Sequence, residues 1–202
     1  MKLKSFLRKA ESVLNRLDAW LPPETREPDW NADAFRWQKA GNKGILESLP
    51  APHTFPLSRL AAVDSQTAKL VRNTEQFLAG RPANNVLLTG SRGTGKSSLV
   101  KALLHEYGAS GLRLIEVDKS DLTTLPALLQ LLASRPEKFI VFCDDLSFED
   151  GEDGYKALKT ALDGGLSQRC ANVLVYATSN RRHLMPEYMD ENTGHTGVRG
   201  EV

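Results

Sequence analysis

The sequence predicts a three-layer α/β domain, a parallel sheet covered on both faces, with a helical extension in front of it. Three observations carry this reading. Short, nearly continuous apolar runs alternate with helical patterns from residue 84 onward, as they do where parallel strands are buried on both faces. A glycine-rich stretch, "GSRGTGKSSL" at Gly90–Leu99, falls between one such run and one such helix. A later run, "FIVFCDD" at Phe139–Asp145, ends in two adjacent aspartates.

Composition agrees with a globular protein: 202 residues, 41% hydrophobic and 25% charged. A chain of that length buries a sizeable core without disulfides. The formal net charge of +1 gives no global basic field for nucleic acid. Cys143 and Cys170 are too few and too far apart for a disulfide framework, and they read as small residues in a reducing compartment. His53, His105, His183 and His195 have no metal-ligand spacing, so a metal is expected only with a bound nucleotide. No apolar run approaches the roughly 20 residues of a membrane span, and no secretory h-region is present. The cytoplasm is therefore the expected location.

Along the chain, Leu3, Phe6, Leu7, Ala10, Val13, Leu14 and Leu17 recur at helical spacing, and "LPP" at Leu21–Pro23 stops that pattern. The helix carries Lys2, Lys4, Arg8, Lys9 and Arg16 against Glu11 and Asp18. Such a basic amphipathic helix either packs on another helix or lies on an acidic membrane. Residues 22–58 hold six prolines and read as a linker with little regular structure, part of it docked through Trp30, Phe35 and Trp37. A helix is expected over Asp64–Leu78, with Asp64 as a plausible N-cap and Gly80 and Pro82 at its end. Strands are expected at Asn84–Gly90, Leu112–Asp118, Phe139–Asp145 and Asn172–Asn180. Helices are expected at Lys96–Tyr107, Asp121–Ser134 and Gly154–Leu166, with Pro126 tolerated only near a first turn. The boundaries follow: 1–21 helical extension, 22–58 linker, 59–191 core, and 192–202 a loose tail.

The glycine-rich stretch fits G-x-x-x-x-G-K-[ST], through Gly90, Gly95, Lys96 and Ser97. Its glycines let successive backbone N–H groups turn inward onto phosphate oxygens, and the helix N-terminus adds partial positive charge. Gly90, Ser91, Arg92, Gly93, Thr94, Gly95, Lys96, Ser97 and Ser98 are thus the expected nucleotide-binding residues. Lys96 brings a mobile charge for the β- and γ-phosphates, and Ser97 a hydroxyl for Mg²⁺. A capped glycine-rich turn would leave the lysine unexplained.

The acidic pair has the shape of a Walker B strand, which delivers a carboxylate at its C-terminal end, where ligands of open α/β sheets gather. Asp144 is expected to hold Mg²⁺ with Ser97, and Asp145 to polarise the attacking water, although it is one methylene shorter than the usual glutamate. The bland alternative is a pair of acids that ends a strand. Asn180, after the next strand, could hydrogen-bond that water or a phosphate oxygen; otherwise it begins a turn. No Asn-Lys-x-Asp motif favours guanine, and no Arg-rich lid favours a small-metabolite kinase.

These features in this order resemble the AAA+ ATPase core. The strings "FLAGRPANNVLLTGSRGTGKSSLVKALL", "LRLIEVDKSDL", "RPEKFIVFCDDLSFEDGEDGYKALKTALDGG" and "NVLVYATSNRRHLMPEYM" closely resemble a bacterial AAA+ family known only as domain of unknown function 815, over Phe35–Glu191. The resemblance implies Walker A at Gly90–Ser98, Walker B at Asp144 and Asp145, and sensor 1 at Asn180. It also implies an adenine-lining segment near Leu60–Asp64, ATP and Mg²⁺ as ligands, and the strand order 5-1-4-3-2. Members of that family continue past Val202, so the chain reads as truncated before an arginine finger, a fifth strand and a helical lid. Arg181, Arg182 and Arg199 offer no replacement, and weak turnover is expected. Without the fifth strand, Asn84–Gly90 becomes a sheet edge.

The function expected is ATP binding, with hydrolysis to ADP and phosphate by Lys96, Asp145 and Asn180, coupled to an unknown protein partner, which in a full-length form includes copies of itself. The alternatives are a nucleotide-dependent binding module, DNA-loader-like or recruiting a membrane or partner, and an inactive fragment. The small charge excess argues against nucleic acid.

Overall fold

The structure is a computed structural model that describes residues 2–18, 27–41, 43–60, 64–149, 152–163 and 170–180. The helix stop at Leu21–Pro23, the arginines at 181, 182 and 199, and the tail 192–202 lie outside the described residues.

Six strands form one sheet: β1 (Ala34–Ala40), β2 (Lys43–Leu49), β3 (Val86–Thr89), β4 (Leu112–Val117), β5 (Lys138–Cys143) and β6 (Val173–Ser179), in the order β2-β1-β4-β5-β6-β3. All neighbours are parallel except β1 and β2. The α-helices are α1 (Lys2–Asp18), α2 (Asp64–Leu78), α3 (Lys96–Tyr107), α4 (Leu125–Leu132) and α5 (Asp153–Asp163).

The layers follow from alternation along the strands. In β5, Phe139, Val141 and Cys143 face one core with Leu125, Leu128 and Leu132 of α4 and Leu158 of α5. Ile140 and Phe142 face a second core with Leu70 and Phe77 of α2 and Leu99, Val100 and Leu103 of α3. Two apolar faces need two helical layers, which makes the three-layer α/β arrangement expected from the sequence. Cys143 is fully buried in the first core, and burial pushes its thiol up to about 12. Tyr176 is fully buried in the second, where its hydroxyl meets Thr74 Oγ1 at 3.0 Å and accepts from Asn73 Nδ2 at 2.9 Å.

The stretch 22–58 differs from the expected linker. Residues 34–49 form a β-hairpin in which Ala40 pairs with Lys43, so the connection is two residues long, and Gly41 takes φ 63° there. Ala34, Phe35 and Trp37 are buried, and β1 adds to β4 in parallel. Trp37 Nε1 donates to Thr124 Oγ1 at 2.9 Å, and the Arg135 guanidinium stacks 4.2 Å from the Trp30 ring. The prolines flank the hairpin and leave its ladder intact, as strand physics requires.

Helix ends follow local chemistry. α2 closes with Gly80 at φ 69°, Arg81 N–H donating to Gln76 O and Gly80 N–H to Phe77 O, which is a Schellman ending. The expected helix Asp121–Ser134 divides into a 3-10 segment, Lys119–Thr124, and α4, with Pro126 in the first turn of α4 where its missing N–H costs nothing. Asp118 caps the 3-10 segment. The Ser120 N–H and then its hydroxyl donate to the carboxylate and hold it below the usual range.

Candidate functional site: the loop between β3 and α3

β3 ends at Thr89 and α3 begins at Lys96, so the glycine-rich loop leaves the C-terminal end of one strand and opens a helix. Gly90, Gly93 and Gly95 take φ 150°, 77° and 80°. Gly95 is the N-cap of α3 and brings no side chain to cover the helix N-terminus. No atom lies within 4 Å of where a Cβ on Gly93 would stand, so glycine is there for its φ and not for space. Gly90 N–H donates to Ser179 O at 3.2 Å, which pins the loop to the end of β6. Thr94 Oγ1 donates to Ser91 O at 2.9 Å and closes the turn on itself. Leu60 Cδ2 lies 3.9 Å from the Cβ position of Gly95, so the expected adenine-lining segment abuts the loop; residues 61–63 are outside the described residues.

Two polar clusters meet at this loop. In the first, the Lys96 ammonium donates to Gly90 O at 2.7 Å, Ser91 O at 2.8 Å and Asn180 Oδ1 at 3.1 Å. The Asn180 amide donates in turn to Asp145 Oδ1, and Arg92 Nη2 reaches Asp145 Oδ2 at 3.4 Å. Lys96, Asn180, Asp145 and Arg92 are therefore joined in one chain of contacts. In the second, Asp144 Oδ1 accepts from Ser97 Oγ at 2.5 Å, from Thr178 Oγ1 at 2.5 Å and from Asp145 N–H at 3.1 Å. The structure thus brings Lys96, Ser97, Asp144, Asp145 and Asn180 together, while Ser98 lies half-buried in the first turn of α3.

β5 and β6 supply this geometry. Cys143 pairs with Ala177, so the acids just past β5 sit beside Thr178 and Ser179 at the end of β6. Thr178 is the residue that sequence reasoning missed. It is buried, and its hydroxyl donates to Asp144 while accepting from Asp145 N–H at 2.8 Å. The signal was its place in "TSN", two residues before Asn180. Leu146 N–H donates to Thr178 O at 2.7 Å, and Ser179 Oγ to Leu146 O at 2.6 Å, which clamps the turn after the acids. Within that turn Asp145 takes φ 51°, the left-handed region. Among the described non-glycine residues Asp145 alone has positive φ, and backbone in that region collects at functional sites.

The hairpin adds a wall. A cleft of about 400 Å³ reaches from Asp144 past Asp118 and Lys101 to Arg36 and Gln38. Glu116 ties its sides together, meeting Lys101 Nζ at 3.1 Å and Arg36 Nη2 at 3.4 Å. Among the described residues no group of three His, Cys, Asp or Glu side chains comes together to hold a metal. The oxygens that do converge are the Asp144 carboxylate and the hydroxyls of Ser97, at the head of α3, and Thr178.

The family described as "Protein of unknown function (DUF815)" matches residues 30–202. No curated protein matches the chain. Among solved structures the chain is similar to the ORC1 protein of Aeropyrum pernix in complex with DNA, with a TM-score of 0.48 and 16% identity over 66% of this chain and 41% of that one. It is also similar to AMPPCP-bound DnaA from Aquifex aeolicus, with a TM-score of 0.43 and 18% identity over 63% of this chain and 42% of that one. It spans about two-fifths of the length of either.

Proposed function

The chain belongs to the DUF815 family, and from that starting point we propose that it is an AAA+-type domain that binds Mg·ATP and hydrolyses it slowly. One observation carries the reading: the Lys96 ammonium and the Ser97–Asp144 pair lie at the head of one helix, on a loop whose glycines need left-handed or extended φ. The residues fit the ligand. An ammonium and an uncapped helix N-terminus suit phosphate oxygens. One carboxylate with one hydroxyl suits Mg²⁺, which takes few protein ligands and completes its shell with phosphate and water. Magnesium-bound ATP supplies a γ-phosphate open to attack by water, with part of its charge carried by the metal.

The chain's own residues do the rest. Lys96 and the loop N–H groups bind and stabilise negative charge. Ser97 and Asp144 would hold the metal, with Thr178 orienting the Asp144 carboxylate. Asn180 and Asp145 orient the water, and the Asp145 carboxylate accepts its proton. Leu60 and its neighbours would line the base. A partner, another protein or further copies of this chain, would receive the work.

A second reading has its own support. Both carboxylate oxygens of Asp145 are engaged, one by Asn180 and one by Arg92. A carboxylate so held activates water poorly, and the chain would then act as a nucleotide-dependent binding module with little turnover. Titration with a fluorescent ATP analogue, with and without Mg²⁺, combined with a phosphate-release assay, tests both. The first reading expects Mg-dependent binding lost in Asp144→Asn, with slow phosphate release lost in Asp145→Asn. Binding without any release favours the second, and no binding in either condition removes both.

A further inference from the structure

Exposed apolar side chains are concentrated on α1. Of the five large exposed hydrophobic residues among those described, three are Phe6, Leu7 and Val13, with 68%, 56% and 51% of their surface open to solvent; Leu87 and Leu131 are the others. At about 100° per residue, positions 3, 6, 7, 10, 13, 14 and 17 fall in an arc of about 120°. All seven are apolar. That stripe is broader than the two-position seam of a coiled coil and wide enough to lie along an apolar surface. Lys9 is exposed beside it, and positions 2, 9 and 16, all cationic, run in a line along one border; Lys4 and Arg8 are exposed on the polar face. Helix α1 carries five cations against two acids, while the whole chain is nearly neutral, so the positive excess is local.

Charge also argues against antiparallel self-pairing. An antiparallel pair of these helices would set the line of Lys2, Lys9 and Arg16 against its own copy, and like charges facing each other are destabilising. We propose that α1 docks in the plane of an anionic lipid surface. Phe6, Leu7 and Val13 enter the boundary between headgroups and acyl chains, and the cationic border lies against the phosphates. The opposite border carries Glu11 and Asp18 with Lys4 beside them, a net negative charge against three cations, so the helix rolls toward its cationic side. This inference is independent of the nucleotide reading, because the surface lies on α1 and its test contains no nucleotide.

The test is co-sedimentation of the full chain with phosphatidylcholine vesicles and with vesicles that also contain phosphatidylglycerol. The chain is expected to sediment with the anionic vesicles alone and to be released by salt. Lys9→Gln with Arg16→Gln should weaken partition by about fivefold for each charge removed. Phe6→Ser with Val13→Ser should abolish it; both positions are exposed, so an unchanged circular dichroism spectrum is expected. Glu11→Lys should strengthen it. Equal sedimentation with neutral and anionic vesicles, or none with either, overturns the proposal. So does weaker binding by Glu11→Lys, which is what a partner helix matched to that acidic border would give.

Discussion

At Asp145 a side-chain carboxylate and a left-handed backbone are demanded of one residue, at φ 51°. Aspartate and asparagine visit that region with least strain, because their short polar side chains hydrogen-bond locally. Asp145→Asn should therefore unfold within about 0.5 kcal/mol of the parent, while Asp145→Val should lose about 1–2 kcal/mol. Urea titration measures both, and equal midpoints for Asn and Val would remove the strain argument. Residue chemistry also sets an alkaline limit. Burial and the hydrogen bond to Glu75 at 2.9 Å raise the Tyr107 phenol from 10.0 to about 12. Above pH 10.0 the unfolded phenol ionises while the folded one stays neutral, so stability should fall between pH 10.0 and about 12. Tyr107→Phe should flatten that fall in denaturant midpoints, and an unchanged slope would assign it to other groups. The side chains that cluster at the loop were legible because the glycine-rich pattern fixes the spacing of Gly90, Gly95, Lys96 and Ser97. Thr178 was not, since its role comes from the pairing of β5 with β6, and one residue's neighbour across a sheet is not written in its local sequence.

Elements were legible in proportion to the strength of their own signals. α2 and α3 stand where periodicity and their ends put them, at Asp64–Leu78 and Lys96–Tyr107. The hairpin was missed because prolines on either side dominate the composition, although Gly-Asn between two seven-residue runs is a hairpin signal. One position in it is tightly packed. A Cβ on Gly44 would stand 1.7 Å from Trp37 Cζ2, so Gly44→Ala must displace a buried indole and break its bond to Thr124. A loss of about 1–3 kcal/mol is expected, read as a lower melting temperature; an unchanged one would mean that the hairpin repacks freely. At the other end of the sheet, β6 is the single strand neighbour of β3 among the described residues, and Leu87 there is 41% exposed. A charge on an open edge discourages pairing with another chain. Leu87→Lys should raise the concentration at which light scattering remains that of a single species; earlier aggregation would show that Leu87 packs on something.

At the scale of the whole molecule, the six-stranded sheet holds the loop, the acids and Asn180 at the C-terminal ends of β3, β5 and β6, with the hairpin as an outer wall beyond β4. The alternation of strands and helices made the layers legible. The position of the hairpin was hidden, because a strand that precedes the core in sequence joins it at the far side. The central claim is that this arrangement binds Mg·ATP. A thermal melt of the full chain and of Lys96→Ala, each with and without Mg·ATP, tests it most directly. At a hundredfold excess over Kd the ligand should stabilise the parent by about 2.7 kcal/mol and leave the variant where it was. No shift in the parent, or an equal shift in Lys96→Ala, would contradict it.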